Sequence, residues 1–306
     1  FEAGPRVGLL QGNFPSSIHR DPDQDEKIFT TYRQLNGLAV QHQAEIIVWP
    51  ESMMPYMMLE ARPELSDRQL ADLHPLIPAE RWKDRTVQTV LSNMAEESRA
   101  SLIVGVGTFA EENSTARRYN SAAFVQGSGI QGRYDKIHRV PFGEYTPLKD
   151  SLPFLNSFTP YAEMSGLDAG KSVGVFRHKS ARLLPLICFE DTVPHLVRSA
   201  VEVSRAAESG VGDVDCIVNL SNDGWFHGSS EHNQHLITAS FRCIETRVPM
   251  VRAVNTGISA IIDGNGRIRD PEILIDLDRA RARQPSERST LVDPETGKLP
   301  KLVTLV

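Results

Sequence analysis

Apolar positions along the chain follow two patterns. Short runs are apolar at nearly every position, and between them lie longer stretches where apolar residues return every three or four positions. The short runs are 6–10 (RVGLL), 45–49 (EIIVW), 101–106 (SLIVGV), 121–126 (SAAFVQ), 182–188 (RLLPLIC), 215–220 (DCIVNL), 250–255 (MVRAVN) and 259–263 (SAIID), each reading as a strand. Helical spacing occupies 24–42, with Ile28, Tyr32, Leu35 and Ala39 on one face, and 86–99, with Val87, Val90, Leu91 and Met94. It returns in 193–207, with Leu196, Val197, Ala200 and Val203, and in 231–246, with Leu236, Ile237, Phe241 and Ile244. Strands apolar along most of their length are covered on both faces, so the alternation predicts an α/β fold with sheets sheathed by helices.

The pattern shows no internal repeat and no low-complexity linker, and a single domain over 1–306 is the simplest organisation. Residues 53–85 are punctuated by prolines and read as an excursion from the core. Residues 270–306 read as a C-terminal tail, with the basic stretch 279–288 solvated. No run approaches the roughly 18 to 20 apolar residues that span a bilayer. The chain begins at Phe1 and stops inside the apolar LPKLVTLV, so both ends are expected to be cut from something longer.

Composition narrows the chemistry. A net charge of −6 with no basic block argues against a nucleic-acid partner. Cys188, Cys216 and Cys243 are widely spaced with no C-x-x-C pair, which is neither a disulfide framework nor a zinc signature. Cys216 and Cys243 read as core. His232 and His235, three apart on a helix, could ligate a metal but have no evident third partner.

Three segments can carry chemistry. In IIVWPES (46–52), Pro50 cannot donate to a sheet, so the strand is expected to stop there and leave Glu51 at its carboxyl end, where ligands of α/β sheets collect. RYDKIHRVPFGEYTP (133–147) sets Lys136, His138, Arg139 and Glu144 between aromatic residues. LPLICFED (184–191) puts Cys188 where an apolar run gives way to acids, and reactivity there needs a base or cation beside the thiol. Each segment also has a bland reading: a capping carboxylate, a solvated loop, a packed thiol.

Together the three segments resemble the nitrilase (carbon–nitrogen hydrolase) superfamily, whose catalytic Glu, Lys and Cys occur in that chain order. VGLLQGNFP, YDKIHRVPFGEYTP, NLSNDGWF (219–226) and VRAVNTGISAIID (251–263) are similar to its apolipoprotein N-acyltransferase branch, and the similarity runs from about residue 6 to residue 268. The resemblance implies a four-layer α-β-β-α sandwich of the nitrilase type. It also implies acyl transfer through a Cys188 thioester, with Glu51 as acid–base and Lys136 as electrostatic stabiliser. Glu144, the main-chain N–H of Phe189 and Glu190 would support them. Trp225 would line the substrate site, and Met53, Met54 and Tyr56 would form an apolar flap beside it. Phe189 replaces a Tyr common in that branch, which removes a hydroxyl but keeps the main-chain donor.

The implied acyl donor is a membrane phospholipid and the acceptor a lipoprotein N-terminus, with no metal or organic cofactor. Flanking membrane helices, absent from this chain, would hold the domain on the periplasmic face of the inner membrane. A soluble amidase using the same three residues is the alternative and would be cytoplasmic. A lipid- or peptide-binding module with a decayed site is disfavoured, because all three residues are present.

Overall fold

All eight apolar runs become strands and all four amphipathic stretches become helices. The computed structural model describes residues 4–15, 22–148, 166–206, 213–226, 230–281 and 301–305. In chain order these form β1 (Val7–Gln11), α1 (Pro22–Gln41), β2 (Ile46–Glu60), α2 (Asp67–Asp72), α3 (Ala79–Lys83), α4 (Thr86–Ser98) and β3 (Ser101–Glu112). Then follow β4 (Thr115–Gln126), β5 (Gly129–Asp135), β6 (Phe176–His178), β7 (Ala181–Ile187), α5 (Pro194–Ala206), β8 (Cys216–Ser221) and α6 (Glu231–Thr246). The chain closes with β9 (Met250–Val254), β10 (Ala260–Ile262), β11 (Ile268–Arg269), β12 (Ile273–Asp276), α7 (Leu277–Arg281) and β13 (Leu302–Leu305).

The strands make two sheets. One has the order β12-β13-β1-β2-β3-β4-β5 and the other β11-β10-β9-β8-β7-β6. Their inner faces meet in a dry layer: Leu9, Ile46, Val48, Ile103 and Phe124 from the first oppose Leu183, Ile187, Val218, Leu220 and Val251 from the second. Outside the first sheet, α1 and α4 contribute Ile28, Tyr32, Leu35, Leu91 and Met94 to a second core with Ile47 and Trp49. Outside the second sheet, α5 and α6 pack Val197, Ala200, Leu236, Ala239 and Cys243 on Leu184, Leu186 and Ile217. Helix, sheet, sheet and helix form the four expected layers.

Four expectations are corrected. β2 does not stop at Pro50. It bulges there and runs on to Glu60, so Met53, Met54 and Met58 are buried in the outer core with α1 and α4, and do not form a flap. Met is unbranched and fills irregular gaps, which suits it to a core as much as to a flap. Only the rest of the excursion leaves the sheet, and α2 and α3 there build a small core of Leu59, Leu70, Leu73, Ala79 and Trp82.

The expected tail returns to the sheet. β13 pairs antiparallel with both β1 and β12, so the apolar residues of its terminal run are sheet interior; 282–300 and 306 lie outside the described residues. Finally, Val203 on α5 and Ile237, Phe241 and Ile244 on α6, expected to face the core, are exposed. The buried stripes run through Val201 and Ser204 on α5 and through Leu236, Ala239, Cys243 and Thr246 on α6.

Candidate active site

Glu51 sits where β2 buckles. Pro50 has no N–H to give, the β2–β3 register shifts between Trp49 and Met54, and Ser52 takes φ of 57°. Gly105 on β3 lies directly under the bulge. A Cβ there would collide with the Pro50 carbonyl and lie 2.7 Å from the Glu51 Cα. The carboxylate is buried (7% exposed) and surrounded by donors. Oε1 accepts from Asn120 Nδ2 at 2.7 Å and from Lys136 Nζ at 3.3 Å, and Oε2 accepts from the main-chain N–H of Asn222 at 3.1 Å.

Lys136 follows β5 directly, and its N–H donates to the Asn120 carbonyl at 2.9 Å. Its ammonium, 2% exposed, donates to Glu144 Oε1 at 2.8 Å as well as to Glu51. The other oxygen of Glu144 accepts from Val140 N–H at 2.8 Å, which closes the turn 140–144 and aims the carboxylate back at the lysine. Burial works against the ammonium, but Glu51, Cys188 and Glu144 outweigh it and hold the lysine well above its ordinary value. Lys136 is a fixed positive charge.

Cys188 stands immediately after β7, in the left-handed region at φ 53°, and opens a 3-10 turn, Cys188–Thr192. That conformation costs a non-glycine residue about 1–3 kcal/mol and is held only where the surroundings impose it. Here they do. Glu190 accepts from Ile187 N–H at 2.8 Å, from Ile137 and His138 N–H at 2.7 and 2.9 Å, and from the Tyr134 hydroxyl. One buried carboxylate thus ties the turn carrying the cysteine to the segment carrying the lysine. Burial raises its pKa, and the N–H donors of His138 and Ile187 counter part of that. Asn219 Nδ2 fixes the Cys188 carbonyl at 3.1 Å.

The thiol is pushed well above its ordinary value, first by burial and then by the charges of Glu51 and Asp223, with Lys136 acting in the opposite sense. The resting site is therefore a neutral thiol beside a carboxylate and an ammonium, and the proton must leave as the sulfur attacks.

The three candidate catalytic residues are brought together, with Glu144 and Glu190 holding two of them. Phe189 is partly exposed and its ring lies 6.2 Å from that of His138. Trp225 is 45% exposed on the turn Asp223–Phe226, just beyond the Asn222 that holds Glu51. Tyr56 is exposed edge-on to Phe29, 5.7 Å between centroids. Arg139 stacks over Tyr145 at 4.2 Å and not over the triad. His232 and His235 are engaged by Asp223 and Asp191. Asn120, which bonds both Glu51 and Glu144, was not legible. A single amide at the polar end of an apolar strand carries no signal of its own.

This arrangement can be set beside known proteins. The sequence profile of the family described as Carbon-nitrogen hydrolase matches residues 6–271. The chain belongs to the carbon–nitrogen hydrolase family. Among curated proteins it is 33% identical over 273 residues to the apolipoprotein N-acyltransferase of Geobacter metallireducens, covering 86% of this chain and 44% of that one. It is 32% identical to the enzyme of the same name from Rhizobium leguminosarum, covering 86% and 45%. The chain thus spans less than half the length of these relatives. Among solved structures, an amidase from Nesterenkonia sp. superposes with a TM-score of 0.59 at 14% identity, covering 99% of this chain and 90% of that one. A glutamine-dependent NAD+ synthetase from Acinetobacter baumannii gives 0.55 at 16% identity, covering 86% and 42%. At these identities the likeness is one of fold.

Proposed function

We propose that this chain is the catalytic part of an apolipoprotein N-acyltransferase, moving a fatty acyl group from a phospholipid, through a thioester on Cys188, to the N-terminal amine of a diacylglyceryl-cysteine lipoprotein. The observation that carries the reading is the hydrogen-bonded Glu51–Lys136–Glu144 set beside a strained, half-buried cysteine. Support comes from the relatives named above and from a mutant of the Nesterenkonia amidase that shows covalent addition of the acetamide moiety of fluoroacetamide at its active-site cysteine.

In the first half-reaction the Cys188 sulfur attacks the ester carbonyl and Glu51 takes the thiol proton. Lys136 and the main-chain N–H of Phe189 stabilise the oxygen that becomes negative. The tetrahedral adduct collapses, the C–O bond breaks, and Glu51 returns the proton to the departing lysophospholipid alkoxide. In the second half-reaction the lipoprotein amine attacks the thioester, Glu51 takes an amine proton, and the C–S bond breaks. The proton then goes back to sulfur, leaving an amide and the free thiol. Trp225, exposed near the site, is the proposed contact for apolar substrate.

The reading places the chain at the periplasmic face of an inner membrane. Among the described residues no helix is long and apolar enough to cross one, so attachment would come from outside them.

The test supplies phospholipid in detergent micelles together with a diacylglyceryl-cysteine peptide, and follows the peptide by mass spectrometry. N-acylated peptide from wild type and none from Cys188→Ala is the expected result. Hydrolysis of small amides with no peptide acylation would assign the site to the amidase chemistry instead.

A further inference from the structure

A second charged cluster is buried beside the nucleophile, and the chemistry above uses none of it. Asp191, Asp223, His235 and Arg252 are all buried. Arg252 Nη1 lies 2.6 Å from Asp191 Oδ2, and its Nη2 lies 3.6 Å from Asp223 Oδ2. His235 Nε2 is 2.8 Å from Asp191 Oδ1, and its Nδ1 is 3.0 Å from Asp223 Oδ1. A carboxylate oxygen faces each ring nitrogen, so both nitrogens donate and the ring is an imidazolium. Burial opposes that charge, but Asp191 and Asp223 raise the ring to about 9. Two positive and two negative charges balance.

Ser221 connects this cluster to the sulfur. It is the last residue of β8, and the parallel pairing of Ile187 with Leu220 brings it level with Cys188. Its hydroxyl donates to Asp223 Oδ1 at 2.6 Å and lies near enough to the sulfur to act on the thiol. A hydroxyl has one proton. While Asp223 holds it, only lone pairs face the sulfur.

We infer that Ser221 is a positioning residue for the nucleophile: its hydroxyl, resting on Asp223, turns to donate to the Cys188 thiolate as the thiol proton passes to Glu51. Asp223 can release that donor because His235 Nδ1–H stays on the same oxygen and Arg252 faces the other. No bond besides S–H breaks, and the serine proton only changes acceptor. The inference rests on the acyl-transfer reading of Cys188.

The charged and polar groups that act on the sulfur are Glu51, Lys136, Asp223 and Ser221, and those around His235 are Asp191, Asp223 and Arg252. The experiment follows alkylation of Cys188 by iodoacetamide from pH 6 to 10 on the whole chain, with the site read by peptide mass. Ser221→Ala is expected to react roughly ten-fold more slowly near neutral pH, the worth of one hydrogen bond to a charged group, with its profile moved to higher pH. Ser221→Thr restores the wild-type profile. Asp223→Asn, which frees the hydroxyl and removes a negative charge, moves the profile to lower pH, and a purely structural role would not give opposite shifts.

A wild-type profile in Ser221→Ala overturns the inference, as does a slowed profile that Ser221→Thr leaves unrescued. If Asp223→Asn does not melt cooperatively, the Ser221 pair decides alone. Acylation by phospholipid, which Glu51→Gln abolishes, is measured in parallel. Its absence in wild type would sink the acyl-transfer reading while leaving the alkylation result standing, and the reverse outcome separates them the other way.

Discussion

Glu51, Lys136 and Cys188 are each unremarkable as residue types, and their chemistry comes from what surrounds them. The lysine is charged because the carboxylates around it, Glu51 first and then Glu144, outweigh its burial. The thiol is neutral at rest because burial and two carboxylates outweigh one ammonium. His235 shows the same competition and predicts a pH dependence of stability. Its folded pKa, about 9, lies above the unfolded value of 6.5, so its contribution is complete below pH 6.5 and is lost as pH rises through about 9. His138 and His178 are lowered, chiefly by burial, and so act only on the acid side of that window. Urea midpoints should therefore fall between pH 6.5 and 9, and His235→Gln should start lower and lose most of that slope. A wild-type midpoint rising across the window would contradict the assignment.

At the scale of elements, the site is made by interruptions of regular structure. β2 buckles at Pro50 to turn Glu51, β5 ends at Asp135 to release Lys136, and β7 ends in the left-handed kink at Cys188. Gly105→Ala tests the first directly, because the new methyl meets main chain and not a yielding side chain. It should cost about 1–3 kcal/mol in urea unfolding and lower peptide acylation far more than that loss of folded protein explains. Unchanged acylation would show that the bulge does not position Glu51.

These interruptions also mark what the sequence made legible. A proline, a strand's apolar end and a run of acids are visible in one dimension, so Glu51 and Cys188 stood out. The left-handed Cys188 and the reach of Glu190 to Ile137 and His138, some fifty positions away, depend on tertiary packing. β5 (GIQGRYD) was missed because its edge position leaves it polar and half-buried. β2 was cut short because a proline usually ends a strand, whereas here the bulge absorbs it.

Across the whole molecule, two sheets share one dry interior, and the site lies where strands from both reach it: β2 and the end of β5 from the first, β7 and β8 from the second. Packing between the sheets therefore sets the distance from base to nucleophile. Ile103→Ala, in that layer, should cost about 2–5 kcal/mol, while Phe241→Ser on the exposed face of α6 should stay within about 0.5 kcal/mol. Comparable losses in chemical denaturation would mean that the α6 face is covered. Reading four apolar residues as one buried stripe failed there because α6 carries two adjacent stripes, and periodicity does not say which one a sheet will cover. The tail was misplaced for a related reason: β13 is too short to announce a strand, and only its pairing with β1 and β12 reveals one.

The most direct test is the intact mass of the chain after incubation with a phospholipid of defined acyl chains and no acceptor. One acyl group added to wild type, labile to hydroxylamine as a thioester and absent from Cys188→Ala and Glu51→Gln, is the result expected of Glu51 and Cys188 acting at one site. An adduct that persists in Cys188→Ala would place the acyl group elsewhere and contradict the account.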